Sequence, residues 1–282
     1  MNQFETFETA WCPGCGNFGI FLALSRALEE LGREPHEVLI AAGIGQAAKT
    51  PQYISTNSFC GLHGRELPAA VAAKMAIKDL TVIVNTGDGD SYSEGGNHFL
   101  HNIRRNVDIT HFVHDNQIYG LTTGQASPTR AIAQRAPGQS GGSSKNEPLN
   151  PLFLAIAAGA GFVARAYSAD MDHLVAVMKE AIQYPGYALV DIFQPCVSFI
   201  KVNTCQLQGT GPYRLDDSHD PTDKLKAIEK VLEGDDRLLI GVIYREEKPT
   251  FHEKNKVLAG GQALIDLKAS PATLEKLIRD FI

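Results

Sequence analysis

Apolar and polar positions follow two different periods along this chain, and the switching between them predicts a succession of strands and helices. Over residues 18–31 the apolar positions Phe21, Leu24, Leu28 and Leu31 recur every three or four residues, the spacing of one helix face, and Gly32 stops the run. Short apolar runs rich in β-branched residues predict buried strands at 38–42, 80–84, 107–113, 162–166, 188–193 and 238–244. Helical spacing between them predicts further helices at 69–78, 94–105, 151–158, 172–183 and 221–232. Strand, helix and strand alternate, so the expected fold is α/β, a doubly wound and mostly parallel sheet. That domain is expected to span 1–201, with a more polar, irregular C-terminal extension, 202–282, as a lid or subunit-contact arm.

The densest chemistry falls between Thr86 and Thr122. The strand at 80–84 delivers Gly87, Asp88, Gly89 and Asp90 to its carboxyl end, and the strand at 107–113 leads to Asp115 and Asn116. Open α/β sheets bind ligands at that edge, and one βαβ unit brings both turns to it. Gly87 and Gly89 let backbone amides approach phosphate oxygens. Asp88 supplies a hard anionic oxygen of the kind magnesium takes, Asn116 a neutral one, and the Ile118 carbonyl a third. These residue types suit a magnesium diphosphate.

Composition narrows the class. A chain of 282 residues with 44% hydrophobic and 21% charged residues can bury a full core. Its net charge of −6 argues against a nucleic-acid or anionic membrane surface. No apolar run reaches the length of a membrane span and no signal peptide precedes Trp11, so a cytoplasmic enzyme is expected. Five cysteines fit metal or redox chemistry better than a disulfide scaffold. Two of them, Cys12 and Cys15, form a C-x-x-C with no strand before it, which disfavours a thioredoxin-like site. Spacing alone leaves an iron–sulfur cluster, zinc and structural thiols open.

With Asp88 and Asn116 28 positions apart, the Gly-Asp-Gly turn and the later Asn resemble the metal-diphosphate motif of thiamine diphosphate (TPP) enzymes. The longer wording, GDGD, EGGNHF, RRNVDIT, DNQIYGLT and GQASPT, is similar to the β subunit of the 2-oxoacid:ferredoxin oxidoreductases, from Trp11 to about Thr204. The resemblance implies TPP with Mg²⁺ and one [4Fe-4S] cluster. It places Ile44, Gly45, Gln46, Ala47, His63, Gly87, Asp88, Gly89, Asp90, Asn116, Ile118, Gly120 and Leu121 at the cofactor. His63 would touch the diphosphate or thiazolium, and Ile44 or Leu121 is the type of side chain that props the folded cofactor. It further implies conversion of a 2-oxo acid, 2-oxoglutarate in preference to pyruvate, to acyl-CoA with electrons passed to ferredoxin. The acid that protonates the cofactor's pyrimidine, much of the substrate pocket and the coenzyme A site would come from a partner α subunit, in an α2β2 assembly. No glutamate here matches that acid, Glu8, Glu66 and Glu94 lying in other settings.

Two departures stand out. Gln46 occupies the position where the family normally has a cluster cysteine. Cys12, Cys15 and Cys196 match, so a relocated fourth ligand is expected, Cys60 ahead of Cys205. Thr123 stands where many relatives carry Lys, which leaves the acyl specificity open. Loss of the thiolate at 46 keeps two other readings in play, a non-oxidative TPP decarboxylase subunit and a cluster-free structural partner.

Overall fold

The computed structural model describes residues 4–130, 146–199, 211–216, 218–233, 238–268 and 270–281. Cys205 and the centre of the Gly/Ser/Pro-rich stretch 122–151 lie outside these residues.

Eight strands form one sheet in the order β2-β1-β3-β4-β8-β7-β10-β9. They are β1 (Val38–Ala42), β2 (Asn57–Cys60), β3 (Thr81–Gly87), β4 (Ile109–Asp115), β7 (Phe162–Tyr167), β8 (Tyr187–Phe193), β9 (Tyr213–Arg214) and β10 (Leu239–Arg245). A separate antiparallel pair joins β5 (Ile118–Tyr119) to β6 (Gln125–Ala126). The run from β2 to β7 is parallel throughout, whereas β10 pairs antiparallel with β7 and carries β9 parallel to itself. The predicted α/β sheet is the observed one.

Burial explains why strand periods were visible. In β3, Ile83 packs into the core on one face while Val82 and Val84 pack into the core on the other. The first face is covered by α1 (Asn17–Glu30) and α5 (Met171–Gln183), whose Leu24, Leu28, Leu174 and Met178 are fully buried. The second is covered by α2 (Glu66–Ala76), α3 (Gly96–Arg105), α4 (Pro151–Ala158) and α6 (Lys224–Leu232). Helix α4 has the end signals that fix a short helix: the Asn150 side chain accepts from Phe153 N at 3.0 Å, Pro151 opens the first turn and Gly159 closes it at φ 90°.

The structure differs from the sequence expectation in instructive places. Strand β2 lies inside a stretch that reads as irregular, because all four of its residues are exposed on the sheet edge and no alternation marks it. The helix expected over 94–105 is α3, which begins at Gly96 and is preceded by a single π turn, Asp90–Glu94. Helix α2 begins three residues earlier than expected, at Glu66. The extension supplies β9, β10 and α6 to the sheet and its cover, so its first half does not stand apart. Beyond it come α7 (Phe251–Lys254) and α8 (Pro271–Arg279), the latter exposed along its whole length.

Candidate active site

Strands β1, β3 and β4 are neighbours, so the turns at their carboxyl ends meet. All of the residues expected at the cofactor line one cavity: Ile44 to Ala47 after β1, His63, Gly87 to Asp90 after β3, then Asn116, Ile118, Gly120 and Leu121 after β4. His114 and Tyr119 line it too. The cavity is only about 40 Å³, far below the few hundred cubic ångströms of a complete cofactor site. Part of the reason is Tyr119, whose ring lies where a Cβ on Gly89 would stand. A larger cavity of about 510 Å³ opens at the opposite ends of the strands, among Lys74, Lys78, Asp79, Asp108 and His252. It shares no residue with the turns, and its central Lys74 ammonium is already paired with Asp108 at 2.8 Å.

The acids at the edge are buried and differently engaged. Asp88 is 1% exposed and accepts from Thr129 Oγ1 at 2.6 Å. Burial pushes its carboxyl up to about 6, and the charge of Asp191 adds to this against hydrogen bonds from Ser127 and Thr129. Burial first, and then the charges of Asp191 and Asp88, push the Asp115 carboxyl well above its usual range. Thr129 Oγ1 lies 3.0 Å from Asp115 Oδ1, and its single proton cannot serve both acids. A neutral Asp115 donating to Thr129, which donates to Asp88, satisfies the row. Behind them Asp191 takes Tyr92 Oη at 2.8 Å and Arg165 Nε at 3.1 Å.

Asp90 belongs to a second group. Its Oδ1 accepts from Gly64 N at 2.8 Å and lies 2.7 Å from His63 Nδ1, and its Oδ2 accepts from Ile44 N at 3.0 Å. One carboxylate therefore ties the β1 turn, the His63 loop and the π turn together, and it fixes the His63 proton on Nδ1. Gly64, at φ 66°, presses its Cα against the backbone of Glu94 and Gly95, an approach that any side chain would block.

Do the residues fit a magnesium diphosphate? Added Cβ atoms on Gly45, Gly87 and Gly120 would meet nothing, so bare backbone faces open space in all three turns. Asp88, Asn116 and the Ile118 carbonyl supply hard oxygens. Asn116 Oδ1 accepts from Ile118 N at 3.0 Å, and Gln117 between them is held at φ 62°, a conformation costly for a residue with a Cβ and kept here at a ligand-facing turn. The donor set fits.

The cysteines divide. The Cys12–Cys15 turn lies directly on the segment carrying Cys196: Gly14 faces Val197 Cγ1, and a Cβ on Gly16 would strike Gln194. Burial pushes the Cys15 thiol up, and nearby Cys196 and Cys12 push it further. Among the described residues no three His, Cys, Asp or Glu side chains stand close enough to hold a single metal ion. A four-iron cluster makes a looser demand, since each thiolate binds a separate iron. The three soft donors fit that demand. Cys60 is set apart from them, contrary to expectation. It ends β2 on the sheet edge, four strand positions from β8, roughly 19 Å of sheet at about 4.8 Å per strand. The turn after β1 is the one that reaches the cysteines, because Trp11 Nε1 donates to the Gln46 carbonyl at 2.8 Å. Gln46 Oε1 is buried there without a partner.

Several residues of the site escape sequence reasoning. Asp191 had one signal, an acid inside the otherwise apolar run ALVDIF. Tyr119 and Thr129 lay within the wording DNQIYGLT and GQASPT that carries the resemblance, without a role of their own. His114 is buried between Asn17 Oδ1 at 2.8 Å and Asn85 Oδ1 at 3.0 Å, and burial pushes its ring down to about 3. A neutral ring can donate to one of these only, so one of the two contacts needs its donor from the asparagine side.

Comparison with known proteins agrees with this geometry. The family described as thiamine pyrophosphate enzyme, C-terminal TPP binding domain, matches residues 37–192, and the family of the C-terminal part of the pyruvate ferredoxin oxidoreductase beta chain matches 196–260. A 2-oxoacid:ferredoxin oxidoreductase subunit beta of Sulfolobus sp. is 40% identical over 98% of this chain and 94% of its own. A 2-oxoglutarate synthase subunit of Methanocaldococcus jannaschii is 35% identical over 86% of this chain and 90% of its own. The 2-oxoglutarate:ferredoxin oxidoreductase from Magnetococcus marinus, solved with 2-oxoglutarate, coenzyme A and succinyl-CoA bound, superposes with a TM-score of 0.85 at 33% identity, covering 97% of this chain and 92% of that one. The chain belongs to the family of 2-oxoacid:ferredoxin oxidoreductase β subunits and carries its thiamine diphosphate-binding domain.

Proposed function

We propose that this chain is the cofactor-bearing half of an enzyme that converts 2-oxoglutarate, coenzyme A and oxidised ferredoxin reversibly into succinyl-CoA, CO2 and reduced ferredoxin. The observation that carries the reading is the one cavity lined by the turns after β1, β3 and β4, with the β1 turn hydrogen-bonded at Gln46 to Trp11, the residue before Cys12. When bound, thiamine diphosphate supplies the carbanion that attacks a keto carbon and the electron sink for loss of CO2, and a cluster accepts the electrons singly. In this assignment Asp88, Asn116 and the Ile118 carbonyl hold Mg²⁺ against the diphosphate. The bare backbone of Gly45, Gly87 and Gly120 takes the phosphates at close range. Ile44 and Leu121 prop the cofactor fold, and His63, steadied by Asp90, meets the cofactor through Nε2. Cys12, Cys15 and Cys196 hold the cluster. Relatives named for 2-oxoglutarate, and the wording at 120–129, favour that substrate over pyruvate.

The site is completed by a partner α subunit. The cavity is too small to enclose substrate, and the acids that line it among the described residues, Asp88 and Asp90, have other roles in this assignment. Exposed Leu274, Leu277, Ile278 and Phe281 on and after α8 suit a subunit-contact arm in an α2β2 assembly. Among the described residues no helix is long and apolar enough to cross a membrane, in keeping with a cytoplasmic enzyme.

The replacement of a thiolate by Gln46 favours one rival, a cluster-free decarboxylase. Anaerobic purification with the partner subunit separates the two. Iron and acid-labile sulfide at about four each per chain are expected. Ferredoxin reduction should run at least about tenfold faster with 2-oxoglutarate than with pyruvate and should vanish for this chain alone. A colourless protein that releases CO2 without an electron acceptor would favour the rival.

A further inference from the structure

Glu66 opens α2 directly beneath the cofactor edge and has no part in the assignments above. Its side chain is fully buried, and neither Oε1 nor Oε2 has a hydrogen-bond partner. Glu66 Oε2 and Asp90 Oδ2 both lie within 2.5 Å of the point where a Cβ on Gly43 would stand. The two carboxyls therefore face each other across the bare backbone at the end of β1. Asp90 accepts from His63 and Gly64 on Oδ1 and from Ile44 on Oδ2, which leaves Oδ2 room for one more donor, whereas Glu66 has no side-chain donor and only the backbone N–H groups of Arg65 and itself nearby.

The other charged or titratable groups facing Glu66 are few. Arg65, its neighbour, spends Nη1 on the carbonyls of Gly64 and Glu94. Tyr187 of β8 faces it from the sheet, and its hydroxyl is engaged 2.6 Å from His111 Nδ1. An ionised Glu66 would be buried beside a like charge, offset only in part by the Arg65 charge and by the backbone N–H groups of Arg65 and Glu66 itself, a costly arrangement for a carboxyl. Burial first, and Asp90 second, push it up to about 8.

We propose that Glu66 is a positioning residue that stands as the neutral acid and donates its carboxyl proton to Asp90 Oδ2. It thereby locks the carboxylate that fixes the His63 proton on Nδ1 and turns Nε2 to the cofactor. Gly43 permits this contact, since any side chain there would fill the space between the acids. The role of His63 rests on the function proposed above; the proton on Glu66 does not.

Difference infrared spectroscopy of the natively purified complex, without added cofactor, tests the proton. At pH 7 the wild type is expected to show the carbonyl stretch of a hydrogen-bonded carboxylic acid that is missing in Glu66→Gln and titrates away near pH 8. Its absence from the wild type at pH 7 would overturn the proposal. Thermal melting supplies a second measure. A folded carboxyl raised from 4.5 to about 8 makes the wild type lose stability as pH rises through that window, while the Gln variant does not. The Tm advantage of Glu66→Gln should therefore widen from pH 5 to pH 8, and a gap independent of pH counts against the protonated acid. Calorimetric titration with TPP and Mg²⁺ tests positioning. Gln keeps an N–H to give to Asp90 and should weaken binding by less than about threefold, whereas Glu66→Leu should weaken it by about tenfold or more. Leu binding at wild-type affinity would remove the positioning role. Failure of the wild type itself to bind would refute the cofactor site and leave the infrared result standing.

Discussion

Replacing Asp88 by alanine is expected to abolish binding of TPP with Mg²⁺ and to lower turnover of the complex by three orders of magnitude or more, ~10³-fold, as loss of a sole anionic metal ligand should. The other acids of the edge cannot substitute. Asp90 is taken up by His63, Gly64 and Ile44, and Asp115 is tied to Thr129 inside the protein. Asp88 is also poised to respond to a cation. Burial pushes its carboxyl up to about 6, and a divalent ion against it would reverse that balance. Below about pH 6 a proton competes for the same oxygens, so Mg²⁺ affinity should fall by up to about tenfold per pH unit. Asp88→Asn, which keeps the shape and removes the charge, should lose the pH dependence together with the binding. Calorimetric titration reads all three outcomes, and wild-type affinity in Asp88→Ala would dismiss the metal assignment.

The second large effect is expected at Cys15. Cys15→Ser should strip most of the iron from the complex and stop ferredoxin reduction, because Cys15 stands at the head of α1 with Cys12 and Cys196 beside it. Cys60→Ser should leave iron content and the electron paramagnetic resonance spectrum unchanged. The contrast separates a ligand position that the resemblance matches from the relocated one that the sequence suggested and the sheet order sets apart. Iron loss in Cys60→Ser would mean that the β2 edge folds inward to reach the trio when the cluster is present. Retention of the full signal in Cys15→Ser would remove the C-x-x-C from the ligand set.

Local period records burial, which is why so much of this fold is legible in the chain itself. Ile83 and its neighbours Val82 and Val84 face opposite cores, and Leu24 and Leu28 share one buried stripe, so β3 and α1 declare themselves. The Gly-Asp-Gly turn is equally local, because the acid and the bare backbone needed for a metal diphosphate are adjacent in sequence. What period cannot record is which strands become neighbours. The order β1-β3-β4 joins three distant turns into one cavity, and the place of β2 at the rim carries Cys60 away from Cys196. Strand β2 itself was hidden because an edge strand exposed at every position buries no face and so writes no alternation. In the sequence Glu66 lay three residues ahead of the expected helix, at the end of a stretch with no period to mark it. Only packing under Gly43 and against Asp90 makes it a carboxyl without a side-chain donor, since the cost of burying a charge depends on what the rest of the fold places beside it.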